Sequence, residues 1–381
     1  MGYYKKDDCH IGDFANLCAQ RLDAADLRFA AEVAQNVPIY DVASLGDAFG
    51  DTFGDRGRRR ALMGEWARVL GEGAGALVLK GAADTGAIAA ASAVFERIIA
   101  EEGGGSGDHF AKAGANARVW NSLQKLCLAD PEVFARYHGA PALDAVAEAW
   151  LGPGYQMSAQ VNLVRPGGAA QEGHRDYHLG FMTASEAEAM PAHAHALSAA
   201  LTLQGALAHC DMPVESGPTK LLPFSQGYGP GYLAYRLPAF RDYFEANYIQ
   251  LPLETGDALF FNPALFHAGG ENRTTDVQRM ANLLQISSPM GRAMETIDRE
   301  AMVRALYPVL TAIGLTPGER GAVIAASAEG YSFPTNLDSD PPVGGLAPET
   351  MAAMMVRMLD EGATAQAFTG ALDAWATRRA P

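Results

Sequence analysis

The chain has 381 residues, 49% of them hydrophobic and 19% charged, enough apolar content for one large core or two closely packed domains. Its 29 basic and 44 acidic residues leave a formal charge of −15 with no long basic run, which argues against a nucleic-acid binder. No apolar run follows the charges of Lys5 to Asp8 and no stretch is apolar for the length of a membrane span, so neither signal peptide nor membrane anchor is expected and the cytoplasm is the default compartment.

Residues 13–102 read as mostly helical. Leu17, Leu22, Leu27 and Val33 fall on a rough helical stripe, and residues 58–70 make another. Between Gly75 and Gly81 a short apolar run predicts the first strand, and the alanine- and isoleucine-rich 87–100 predicts a helix. Gly103-Gly104-Gly105 then breaks the chain. Asp108-His109-Phe110 leads toward Trp120, Asn121 and Lys125, residue types that suit either a ligand wall or a buried anchor for the next helix. Residues 131–151 read as helix and stop at Gly152-Pro153-Gly154. The four cysteines (Cys9, Cys18, Cys127, Cys210) are scattered without C-x-x-C spacing and read as free thiols.

From Gln156 the texture changes. Residues 156–164, 197–207, 220–223, 248–253, 258–262 and 280–286 are short strand-like segments punctuated by Gly and Pro, with helical or irregular insertions at 186–190 and 231–246. Such a series predicts an antiparallel double sheet or barrel, a jelly roll among them. Past Pro289 the pattern is helical again over 295–314, 317–328 and 348–377, broken near Gly362. The expected layout is one α+β domain over 1–381: a helical extension at 1–74, a β core with supporting helices at 75–290, and a helical extension at 291–381. The extensions are expected to cover the barrel, form a lid or build a homodimer.

The chemistry concentrates in Gln171-Glu172-Gly173-His174-Arg175-Asp176-Tyr177-His178, just after a strand and the Pro166-Gly167-Gly168 turn. A His-x-Asp pair at a strand end can aim two ligands at one metal, and His267, delivered by the apolar strand that follows Gly256-Asp257, can complete a facial triad that suits non-heme Fe(II). The pattern alone is weak, since nine histidines and 44 acidic residues supply roughly one His-x-acid pair by chance. A twin exists at His209-Cys210-Asp211, but it runs into a Pro- and Gly-rich turn and reads as a decoy. Arg279, at the start of another apolar strand, offers a guanidinium fork for a carboxylate; Arg273, in a turn beside Asn272, is the weaker candidate. His193-Ala194-His195 reads as a solvated loop. No H-E-x-x-H helix, Walker loop, dinucleotide fingerprint or G-x-S-x-G elbow is present.

Taken together, Asp108-His109-Phe110, Trp120-Asn121 and Lys125, Gln171-x-x-His174-x-Asp176, Ser216-Gly217-Pro218 with Pro223-Phe224-Ser225-Gln226, and Gly256-Asp257 with His267, Asn272 and Arg279 resemble the phytanoyl-CoA dioxygenase family over about 75–290. The resemblance implies a double-stranded β-helix (jelly-roll, cupin-like) core and a small-molecule oxygenase that uses Fe(II), 2-oxoglutarate and O2. It implies iron on His174, Asp176 and His267, the distal carboxylate of 2-oxoglutarate on Arg279, and cosubstrate or pocket contacts from Gln160, Asn162, Trp120 and Lys125. Gln226 departs from the family, whose members often carry histidine there. An intact Asp176 favours hydroxylation, because halogenating relatives replace that carboxylate with a small residue. Arg175, Tyr177 and His178 are the expected substrate contacts. Two other readings stand beside this one: a non-catalytic binding protein with a degenerate site, and an O2-independent cupin-like metalloenzyme.

Overall fold

The computed structural model describes residues 2–46, 49, 56–102 and 116–380. The expected first helical stripe holds only as α1 (Ile11–Cys18). Beyond it the chain forms a hairpin of β1 (Glu32–Ala34) and β2 (Val37–Asp41), joined through Gln35 and Asn36 at φ of 50° and 71°. Positive φ at both central residues is the geometry that matches the twist of a two-residue hairpin. The 1–74 extension is therefore not wholly helical; it adds two strands to the core. A short α2 (Val42–Leu45) and α3 (Arg56–Gly71) follow, then β3 (Ala76–Lys80) and α4 (Thr85–Glu101), whose first turn is capped by the Asp84 carboxylate accepting from the Ala87 N–H. The motif at 108–112 lies outside the described residues.

Next come β4 (Asn116–Val119), α5 (Ser122–Ala129), α6 (Pro131–His138), α7 (Pro141–Leu151) and β5 (Gln156–Val164). The expected single helix over 131–151 is thus two, each opened by a proline at its first turn, where the missing N–H costs nothing. An insertion carries α8 (Ala184–Glu188) and α9 (Ala192–Ala200) before β6 (Thr202–Ala208), so the strand expected over 197–207 begins only at Thr202. His195 is buried on α9, its Nε2 3.0 Å from the Ala187 carbonyl, and not in a solvated loop. Then follow β7 (Lys220–Leu222), α10 (Gly231–Ala234), α11 (Pro238–Asn247), β8 (Ala258–Phe261), β9 (Phe266–Ala268) and β10 (Arg279–Ser287). Helices α12 (Arg299–Ala312), α13 (Pro317–Ser327), α14 (Met351–Asp360) and α15 (Ala365–Arg379) close the chain.

Eight strands form one sheet in the order β1-β2-β3-β8-β6-β10-β5-β4, antiparallel except where β2 meets β3. A smaller sheet pairs β7 with β9 and is extended by backbone bridges from His174 to His267 and from Leu221 to Ile249. The two sheets make the double-stranded β-helix.

Strand alternation sorts the side chains of β10 and β5. Met280, Leu284 and Ile286 of β10, with Met157, Ala159 and Val161 of β5, face the helices and join the largest core cluster. The alternate residues Arg279, Ala281, Leu283 and Gln285, with Gln160 and Asn162, line a cavity between the sheets. The same core cluster takes in Met302, Leu306, Met355, Phe368 and Leu372. The apolar faces of the C-terminal helices are therefore covered within this chain. Among the described residues no helix is long and apolar enough to cross a membrane.

Candidate active site

His174 and His267 sit directly opposite each other in the smaller sheet. The His174 N–H donates to the His267 carbonyl at 2.9 Å and the His267 N–H donates back at 3.1 Å. Paired residues project to one face, which sets the two imidazole centroids 4.5 Å apart. Two residues on, Asp176 returns to that face, its N–H bonded to the Pro263 carbonyl at 3.1 Å.

The tautomers follow from the backbone. His174 Nδ1 donates to the Glu172 carbonyl and His267 Nδ1 to the Leu265 carbonyl, each at 2.8 Å. A carbonyl only accepts, so each Nδ1 carries a proton and each ring turns its Nε2 inward. Burial holds the His174 ring below its ordinary pKa against the opposing pull of Asp176. His174 Nε2 lies 3.6 Å from Asp176 Oδ1 and His267 Nε2 3.4 Å from Asp176 Oδ2.

All three ligand atoms lie within 4.8 Å of one another. Burial pushes the Asp176 carboxyl up, but His174, His267 and an amide donor from Gln204 outweigh it and hold it well below the usual carboxylate range. Three lone-pair donors this close repel unless a proton or a metal cation stands among them. Two imidazoles and one carboxylate fit iron with positions left open.

The cavity beside the triad measures about 630 Å³, within the range of small-molecule sites. Arg279 lines it. Its Nη1 donates to the Ser216 and Gly270 carbonyls at 3.0 and 3.1 Å, the first presented by the turn at Gly217 (φ 77°). No carboxylate pairs with it among the described residues. Burial lowers its pKa to about 10, so it stays a cation at neutral pH and is a ready receptor for a carboxylate. Arg273 is exposed and outside the cavity.

Gln160, Asn162 and Trp120 line the cavity as expected, the last beneath the Arg118 guanidinium at 5.0 Å. Three expectations, Lys125, Tyr177 and His178, are corrected. Lys125 on α5 pairs with Glu102 and does not reach the cavity. Arg175 is buried, and its Nη2 donates to the Ser225 and Tyr228 carbonyls at 2.6 and 3.1 Å, with the guanidinium 5.2 Å from the rings of Tyr232 and Phe266. Arg175 borders the cavity, as expected, while its guanidinium braces the 225–228 turn. Tyr177 and His178 do not line the cavity: Tyr177 is buried, and His178 Nδ1 lies 3.1 Å from Ser198 Oγ. Both hold positive φ, 63° and 36°, so the backbone just past Asp176 is strained. Gln226 also works structurally, donating to the Gly71 and Gly73 carbonyls at 3.3 and 2.8 Å.

The His209 pair is the decoy. Its Nδ1 meets Ser92 Oγ at 2.8 Å and its Nε2 meets the Tyr137 hydroxyl at 2.7 Å, against α4 and α6, so no ring nitrogen is left for a metal. Asp211 is exposed and accepts from Thr255 N and Oγ1, each at 2.9 Å.

Two site residues escaped the sequence reading: Gln204 and Gln285. The usable signal was an amide side chain on the same strand face as Arg279 in β10, and one amid the apolar residues of β6.

Residues 71–281 match the phytanoyl-CoA dioxygenase (PhyH) family. No curated protein matches the chain. Among solved structures, it is similar to the non-heme α-ketoglutarate-dependent epimerase SnoN from nogalamycin biosynthesis (19% identity, 60% of this chain, 82% of that one, TM-score 0.46). It is also similar to the carbocyclase SnoK from the same biosynthesis (17%, 66%, 90%, 0.44) and to AviO1 from Streptomyces viridochromogenes Tue57 (19%, 61%, 97%, 0.41).

Proposed function

The chain belongs to the phytanoyl-CoA dioxygenase family, enzymes that use iron and 2-oxoglutarate, and on that premise we propose that it hydroxylates an unactivated C–H bond of a small molecule. In this reading it acts as one domain. His174, Asp176 and His267 hold Fe(II), and Arg279 pairs with the distal carboxylate of 2-oxoglutarate. One observation carries it: three converging lone-pair donors share a cavity with a buried cation that has no carboxylate partner among the described residues.

Iron bound there supplies the O2 activation that couples decarboxylation of 2-oxoglutarate, to succinate and CO2, with oxidation of the substrate. The chain's own residues do the rest. The backbone acceptors at Glu172 and Leu265 fix each imidazole with Nε2 toward the centre. Arg279 orients the cosubstrate by a charge-assisted bond in a site shielded from water. Met212, Leu253 and Phe261 give the cavity an apolar wall. Gln160, Asn162 and Trp120 are its polar and aromatic contacts.

The test is succinate formation across a panel of small metabolites, with and without Fe(II) and 2-oxoglutarate. Substrate-stimulated succinate with a product heavier by one oxygen supports hydroxylation. Turnover without O2 or 2-oxoglutarate points to the cupin-like metalloenzyme, and iron binding without turnover on any substrate points to a binding protein.

A further inference from the structure

Gln204 lies in β6 opposite Gln285 in β10, both facing the cavity. Its Nε2 donates to Asp176 Oδ2 at 2.6 Å and to Gln285 Oε1 at 3.3 Å. The first contact has the length of a strong charge-assisted bond. Gln204 Oε1 is buried and has no partner. The amide is therefore oriented by its nitrogen alone, and flipping it would set a carbonyl oxygen against the carboxylate. Gln285 accepts the second N–H and keeps the amide from swinging away.

We propose that Gln204 is a positioning residue that leaves Asp176 one free oxygen for the metal, with Gln285 holding Gln204 in place. The proposal rests on the iron-site reading above. A carboxylate that grips a metal through both oxygens fills two positions, and one that uses a single oxygen fills one. With Oδ2 occupied by the Gln204 N–H, Oδ1 is the oxygen left to bind. Two imidazoles and one oxygen then leave three octahedral positions open, enough for a chelating 2-oxo acid and one further ligand. Without Gln204, Asp176 is free to rotate and to bind through both oxygens, at the expense of the cosubstrate. Such outer partners orient the ligands they touch, and their loss typically costs 10–100-fold in metal affinity or activity.

The test uses the full chain, metal-free and anaerobic, titrated with Co(II) as the probe and then, at saturating Co(II), with 2-oxoglutarate. Gln204→Leu is expected to bind Co(II) about 10–100-fold more weakly, to bind 2-oxoglutarate more weakly, and to shift the Co(II) d–d spectrum. Gln285→Leu is expected to move all three readouts in the same direction by less. A folded Gln204→Leu with wild-type affinities and an unchanged spectrum overturns the proposal. If that variant does not fold, Gln285→Leu decides on the same readouts: a shift supports it and no change overturns it. His174→Ala separates the two levels. If it abolishes Co(II) binding while Gln204→Leu behaves as wild type, only the positioning role falls; if the wild-type chain itself binds no Co(II), the iron site falls with it.

Discussion

His174 and His267 exchange both backbone hydrogen bonds across the smaller sheet, and this one pairing places two imidazoles 4.5 Å apart on a common face. A ligand pair built on a strand register is positioned by the ladder itself, not by loop packing. The site is thus preformed, and metal binding should register as stability. Co(II) at a hundred times its Kd is expected to stabilise the wild-type chain by about 2.7 kcal/mol. His267→Ala should show no such gain. The measurement is thermal unfolding with and without metal.

Arg279→Ala is expected to weaken 2-oxoglutarate by about 30-fold or more, since losing one partner of a buried charged pair costs roughly 2–5 kcal/mol. Metal affinity should stay near wild type. Exposed Arg273 serves as the control, and Arg273→Ala should leave both affinities unchanged. Isothermal titration of each variant with 2-oxoglutarate decides between them.

Arg175→Met is expected to destabilise the fold while sparing cosubstrate affinity. It removes the donor to the Ser225 and Tyr228 carbonyls, and a buried acceptor left bare costs about 1–3 kcal/mol. Gly231→Ala tests the same contact from the other side, because a Cβ there would lie 1.9 Å from Arg175 Cζ. Urea denaturation should show a lower midpoint for both.

Acid should weaken the fold through a group outside the cavity lining. Burial lowers the His209 pKa from 6.5 to about 4. Between those values the unfolded chain binds a proton that the folded chain does not, so stability is full above about pH 6.5 and is lost as pH falls toward 4. Buried His138, lowered to about 3, acts in the same direction. His209→Gln should flatten the fall in denaturation midpoint between pH 6.5 and 4.

Much of this site was legible because each part sits at the end of a readable strand. His174 follows a nine-residue strand and a Pro-Gly-Gly turn; Arg279 opens another. Strand period and turn chemistry carry that far. The hairpin at 32–41 was not legible, because Leu17, Leu22, Leu27 and Val33 mimic a helical stripe and the turn residues Gln35-Asn36 are not the usual Asn-Gly. The direction of the Arg175 head group and the place of Lys125 were not legible for another reason. A charged residue beside a motif reads alike whether its head group meets a ligand, an internal carbonyl or a surface carboxylate, and only tertiary packing separates the three. Gln204 was missed because its partner Asp176 lies on a separate segment, and strand pattern alone does not report such a contact.

The central claim is an iron centre that accepts 2-oxoglutarate. Anaerobic titration of the purified, folded chain with Fe(II) and then 2-oxoglutarate, followed by visible absorption, tests it most directly. One iron per chain, with a charge-transfer band that appears on adding 2-oxoglutarate and weakens in Arg279→Ala, is the predicted result. No iron uptake by the folded chain with His174, Asp176 and His267 intact would contradict it.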